Sequence, residues 1–122
     1  MSQLWKVKQK GNLTRIERDD GSLHLIMHID KGSGGWIRIG AQRSPLGHEQ
    51  CAFFMHAKYQ KALFGILDNV ANGSPLTFSV TLMDDGVVAV QHGEYTLEIA
   101  QHYLEQILDL TRLVRGTEMM RW

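Results

Sequence analysis

The feature that most constrains the fold is a plan that occurs twice along the chain. Short strands that alternate apolar and polar residues are followed by an amphipathic helix that a glycine ends. The first copy, Leu13 to Gly73, predicts a ββββα unit, and the second, Leu76 to Gly116, predicts a shorter βββα unit. Two helices of this kind can cover one face of an antiparallel sheet, so the sequence predicts an α+β fold.

Small signals repeat within this plan. Both copies begin Leu-Thr and contain an Asp-Asp-Gly turn, and an offset of 43 residues places Gly73 on Gly116 and aligns the predicted helices. Such turns and glycine stops are common in unrelated proteins, so convergent use of them is the alternative explanation.

Length and composition predict one domain, residues 1–122, in which the two units are followed by a short tail, 117–122. The tail is apolar for its length, with Met119, Met120 and Trp122. No apolar run approaches the ~20 residues of a membrane span, and no signal peptide begins the chain. With a single cysteine, Cys51, the sequence predicts a cytoplasmic protein without a membrane partner.

The charge is distributed unevenly although the net charge is zero. Residues 1–61 hold ten basic side chains against five acidic ones, and residues 62–122 hold three against eight, so the halves carry +5 and −5. This asymmetry favours an anionic partner for the first half or head-to-tail self-association, and a merely solvated surface is the alternative.

Motifs for chemistry are absent from the sequence. The six histidines are scattered, and His24 and His28 lie four residues apart on a predicted strand, too far for one metal ion at ~3.3 Å per residue. Cys51 falls within a predicted strand and is interpreted as a small buried apolar residue. The glycines at 32, 34 and 35 precede a strand and not the helix that would hold a phosphate. We therefore predict no enzyme, no metal and no cofactor.

Binding is the more promising interpretation. The outward face of the first unit is predicted to combine basic and aromatic side chains, and Arg43 follows in the next loop. Basic groups neutralise phosphates, and an exposed indole offers a surface on which bases stack. The candidate nucleic-acid-binding residues are Lys6, Lys8, Lys10, His24, His28, Trp36, Arg38 and Arg43. Core or dimer packing is the alternative for Trp36, and protection of an edge strand is the alternative for the three lysines.

The stretch from Leu23 to Val70 resembles one PUR repeat, the unit of the purine-rich-element-binding proteins. Asp30-Lys31-Gly32 takes the place of the family's polar-glycine turn, and Trp36-Ile37-Arg38-Ile39 takes that of the aromatic strand after it. The variable loop, the next strand and the helix correspond to Arg43 to Glu49, Ala52 to His56 and Tyr59 to Val70. The resemblance implies intertwined ββββα repeats that bind single-stranded DNA or RNA through their sheets, a plan that the Whirly proteins share. The second unit fits this pattern less well because it is acidic and shorter.

A different class of function stays open from the sequence. A small neutral α+β protein can act as an inhibitor, an immunity protein or an adaptor, including one encoded by a mobile element. The acidic second half, with Asp84, Glu94 and Glu98, and the apolar tail would suit a protein interface or a homodimer contact.

Overall fold

The computed structural model describes residues 5–11, 13–19, 24–43, 48–75 and 77–115, with the backbone alone at 5–7, 13–14, 16–19 and 24. Strand β1 (Trp5–Lys10) comes first. The first unit contains strands β2 (Leu13–Asp19), β3 (His24–Lys31), β4 (Trp36–Gln42) and β5 (Cys51–His56) and helix α1 (Gln60–Ala71). The second contains β6 (Ser79–Leu82), β7 (Val87–His92), β8 (Tyr95–Ala100) and α2 (Leu104–Val114). The predicted α+β fold, with ββββα followed by βββα, is therefore confirmed, and β1 precedes the first unit as an additional strand.

The strands form two antiparallel sheets. The larger sheet has the order β1-β2-β3-β4-β5 and the smaller has the order β6-β7-β8. β5 lies beside β8 in the fold, although these two strands are not paired. A seam therefore separates the sheets where β5 and β8 adjoin.

One apolar core joins both sheets to both helices. Alternate residues of β3, β4 and β5 point into it, and so do alternate residues of β7 and β8, as the period of two requires. The helices contribute the residues that recur at a spacing of three and four. The largest buried members include Leu25, Met27, Ile37, Ile39, Phe53, Met55, Leu63, Ile66, Leu67, Leu97 and Leu110.

Each helix lies against a strand of the other unit. α1 follows β5 but packs on β8, and α2 follows β8 but packs on β5. In α1, Gly65 leaves room for the ring of Tyr95 on β8. In α2, the Oε1 atom of Gln106 accepts a hydrogen bond from the backbone N–H of Ala52 on β5, 2.8 Å away. Each unit thus has its apolar face covered by the helix of the other unit. The two units cannot be separated without exposing the core to water.

The units correspond at an offset of 44 residues, one more than the sequence predicts. β5, its following 3-10 turn and α1 begin at 51, 57 and 60, and β8, its turn and α2 begin at 95, 101 and 104. This offset pairs buried Leu63 with Ile107 and buried Val70 with Val114. The predicted offset of 43 relied on Gly116, which lies outside the described residues, as does the tail 117–122.

The close approach of Gly65 to Tyr95 predicts a stability effect that opposes helix propensity. A Cβ atom at position 65 would overlap the Tyr95 ring, so Gly65→Ala should lower the free energy of unfolding by about 1–2 kcal/mol. Helix propensity alone predicts a gain of about 1 kcal/mol. Urea unfolding measures the difference.

The variant Tyr95→Leu supplies the control, because it opens space beside position 65. In that background, alanine at position 65 should be neutral or stabilising. A single Gly65→Ala variant that is more stable than the parent protein would contradict the packing assigned here.

Candidate nucleic-acid interface

The face of the larger sheet that points away from the helices carries the predicted binding residues. We call this surface the open face. The register aligns Lys8, Arg15, His28, Gly40 and Ala52 in one row across five strands. The next row aligns Lys10, Leu13, Asp30, Arg38 and Phe54, and Trp36 lies beside His56 at the end. Because the period of a strand is two, burial of the alternate residues in the core commits these rows to the opposite face.

Two aromatic side chains project from the open face. Trp36 is 53% exposed and Phe54 is 47% exposed, although the side chains of Ile37 and Phe53 next to them are buried. The indole of Trp36 makes an edge contact with the ring of His56, with centroids 5.7 Å apart. Large exposed aromatic groups at neighbouring positions of a sheet are costly to leave in water, and they indicate a binding surface.

Trp36 and Phe54 stand between two clefts. The first, about 240 Å³, extends to the seam between the sheets and also contacts Tyr59, Glu98 and Tyr103. The second, about 340 Å³, lies toward the turn after β3 and includes Arg38. A flat ring can therefore approach either side of this aromatic pair.

The wall of the first cleft at the seam is fixed by residues at the starts of the helices. Tyr103 precedes α2, and its ring lies 6.1 Å from that of Phe54. Tyr59 precedes α1 and pairs with Glu98 of β8 across the seam; burial, and then the hydrogen bond with Glu98, raise the pKa of the Tyr59 hydroxyl. The cleft thus combines an aromatic lining with one carboxylate and the ammonium of Lys58.

The basic centre of the open face is already paired with a carboxylate. Both Glu49 oxygens accept hydrogen bonds from Arg38, one from Nη1 at 3.1 Å and the other from Nη2. This bond raises the pKa of Arg38 and lowers the pKa of Glu49. The carboxylate lies directly on Gly40, where a Cβ atom would overlap it. An anion therefore fits at this position, and Glu49 occupies it.

The structure brings most of the predicted site residues together and separates one. The register positions of Lys8, Lys10, His28, Trp36 and Arg38 share the open face. Lys6 and His24 lie in β1 and β3, but their side chains are outside the described residues. Arg43 instead lines a small hollow with Asp109 and Arg112 of α2, on the side of the helices.

Several residues of the site were not identified from the sequence. The 3-10 turn at Gln101–Tyr103 places Tyr103 just before α2 and beside Phe54. Glu49 belongs to the site through its pairing with Arg38, and Glu98 through its pairing with Tyr59. One signal was available for Phe54: two adjacent phenylalanines in a strand cannot both face the core.

Two kinds of feature are not found in the part of the chain that the structure describes. No group of three His, Cys, Asp or Glu side chains there could hold a metal ion. No helix there has both the length and the apolar composition needed to cross a membrane. The sequence matches no protein-family model and no curated protein, and the fold matches no solved structure.

Cys51 is predicted to be chemically inert in the folded protein. It is buried, and burial raises the pKa of its thiol to about 12, so its thiolate fraction at pH 8 is about 10⁻⁴ whereas that of an ordinary thiol is about a quarter. Iodoacetamide should modify the native protein at least ~100-fold more slowly than the urea-unfolded chain. Rapid native-state labelling, followed by mass spectrometry at pH 8, would contradict this burial.

Proposed function

We propose that the protein binds single-stranded DNA or RNA on the open face. The observation that carries the proposal is the exposed pair Trp36 and Phe54, flanked on both sides by clefts and set beside Arg38. Bases would stack on the aromatic rings, while phosphates would contact the basic rows that begin at Lys8 and Lys10. Stacking tolerates every base because each has a π-face, so this arrangement supports binding with little sequence preference.

The resemblance to PUR repeats supports the same proposal. It implies paired ββββα repeats that intertwine, and here α1 packs on β8 while α2 packs on β5. The described part of the second unit has three strands where the first unit has four, and those three strands carry no row of basic and aromatic residues. We therefore assign nucleic-acid contact to the first unit and assign to the second the completion of the core.

The expected affinity is modest. The open face offers about three to six phosphate contacts, which corresponds to a dissociation constant in the micromolar range or weaker at physiological salt. For a single strand, each contact contributes about −0.7 to the slope of log K against log salt, so the slope should be about −2 to −4. Fluorescence anisotropy with a labelled oligonucleotide, titrated at several salt concentrations, measures both quantities.

Substitutions on the open face should separate stacking from charge. Trp36→Ala should weaken binding by about 1–3 kcal/mol with an unchanged salt slope, because it removes a stacking surface. Lys8→Ala should reduce the magnitude of the slope by about 0.7. Lys61→Ala is the matched control, since Lys61 is exposed on α1, away from the open face. Absence of binding at low salt, or equal effects of Lys8→Ala and Lys61→Ala, would refute the proposal.

The pairing of Arg38 with Glu49 implies that a phosphate must compete with a carboxylate of the protein itself. Glu49 holds the guanidinium in the bidentate geometry that a phosphate also uses. A phosphate that binds at Arg38 would either displace the Glu49 carboxylate or lie close enough to be repelled by it. Either outcome lowers the affinity for nucleic acid, so removing the Glu49 carboxylate should raise that affinity.

Two variants test this competition by different means. Glu49→Gln removes the charge, and Gly40→Ala displaces the carboxylate from Arg38 sterically while keeping it in the chain. Each should tighten oligonucleotide binding about two- to fivefold, the range of a partly exposed ion pair. If Glu49→Gln tightens binding and Gly40→Ala does not, the effect is one of net charge and no shared position exists.

Binding to a protein is the second candidate, and the exposed acids of the second unit favour it. Asp84 and Asp85 lie in an exposed turn, and Glu94 lies in another. An inhibitor or adaptor acting through this surface would tolerate Trp36→Ala and Arg38→Ala and would lose its partner on Asp84→Lys or Glu94→Lys. Trp122, which the sequence also suggests for this role, lies outside the described residues.

A further inference from the structure

Strand β6 forms an outer edge of the smaller sheet, and the described residues cover it on one side only. Its sequence, Ser-Val-Thr-Leu, contains no charge and no proline, and all four residues are exposed. Natural edge strands are usually protected by lysine, proline or a bulge. The other outer strand, β1, follows that rule with exposed Lys8 and Lys10, so β6 is the edge without protection.

The backbone groups that face outward from β6 are identified by its pairing with β7. The N–H of Met83 donates to the carbonyl of Val87, 2.7 Å away, and Thr81 lies two residues earlier opposite Ala89. Because hydrogen-bonding direction alternates along a strand, Thr81 also bonds toward β7. The N–H and C=O groups of Val80 and Leu82 therefore point away from the sheet.

The side chains of Val80 and Leu82 lie next to buried residues of the core, but they are themselves exposed. Val80 lies opposite Val90, and Leu82 lies opposite Val88; both partners are buried in the core. Val80 is nevertheless 45% exposed and Leu82 is 66% exposed. The edge thus presents unpaired backbone groups and an apolar row together.

We propose that β6 pairs with β6 of a second copy of this chain, antiparallel and around a two-fold axis at Thr81. In this register, Val80 lies opposite Leu82 of the second copy, and the outward backbone groups of these residues form four hydrogen bonds. Residues that lie opposite one another share a face. Val80 and Leu82 of both copies therefore join in one apolar row on the side of the helices.

A second copy fits this edge because β6 is neutral and its outward backbone groups are self-complementary about Thr81. Two neutral strands meet, and the nearest acids, Asp84 and Asp85, lie beyond the paired segment. Asp84 is three residues from the axis, so the two copies of this carboxylate are ~20 Å apart at ~3.3 Å per residue. That separation exceeds the Debye length of ~8 Å at physiological ionic strength, which leaves little repulsion between the acidic units.

The paired segment is short, so the interface is small and the dimer should be weak. Interfaces below about 1,200 Å² belong to transient complexes. Sedimentation velocity should show a dimer fraction that rises with protein concentration between about 10 μM and 1 mM, the range of weak association. Val80→Lys, which places a charge in the apolar row of each copy, should leave a monomer at every concentration.

A cysteine at the axis gives the decisive experiment. Residues opposite one another in a pair without hydrogen bonds have Cα atoms ~4.5 Å apart, within the range of a disulfide. Thr81→Cys, oxidised by oxidised glutathione, should form a covalent dimer on a non-reducing gel. Buried Cys51 does not interfere.

Thr96→Cys is the matched control, because Thr96 is also an exposed strand threonine of the same sheet but lies on β8. It should form a dimer at least ~10-fold more slowly, as expected for random collision. Equal rates for the two variants, or a parent protein that sediments as a monomer throughout, would overturn the proposal. In that case β6 is covered by another chain or by another segment of this one. None of these outcomes depends on whether the protein binds nucleic acid.

Discussion

The structure depends on the exchange of helices between the two units. α1 packs on β8 and α2 packs on β5, and both sheets contribute to the same core. Each unit therefore buries its apolar face only when the other is present, because the helix that covers it comes from the other half of the chain. This arrangement makes cooperative folding the natural outcome, since opening one helix exposes apolar residues of both sheets to water.

The same core determines which residues reach the open face. Burial of alternate residues of β3, β4 and β5 leaves the residues between them to the opposite face of the larger sheet, because successive side chains of a strand point to opposite sides. Trp36, Arg38 and Phe54 are placed on that side because Ile37, Ile39 and Phe53 are needed in the core. The seam between β5 and β8 adds depth, since Tyr59 and Tyr103, which start the two helices, close a cleft beside the exposed rings. The shape of the open face thus depends on how the side chains on the opposite side of the sheet pack in the core.

The sequence predicts those parts of the structure that local patterns control. The period of two places Lys8, His28, Trp36 and Arg38 on one face, and the period near 3.6 identifies the buried sides of both helices. Contacts between distant residues are not encoded in this way. The pairing of Glu49 with Arg38 depends on how the segment just before β5 lies against Gly40, and the position of Tyr103 depends on the 3-10 turn that precedes α2. The sequence predicts Arg43 in the loop beside the open face, but β4 continues to Gln42 and Arg43 points to α2.

The two proposals use different parts of the molecule: one uses the open face of the larger sheet, and the other uses the edge strand β6. The order of the strands keeps these two parts separate, so the proposals are compatible. β8 adjoins β5, so β6 is the strand of the smaller sheet that lies farthest from the open face. Pairing through β6 joins the acidic units at the centre and leaves the basic rows at both ends. A dimer of this form carries two open faces, and a single strand long enough to reach both would bind the second as an intramolecular step. Avidity can then exceed the affinity of one face by about 10²–10⁴. Under the two proposals together, a weak interface and a weak face would suffice for firm binding to a long strand, whereas a short oligonucleotide would be held by one face alone.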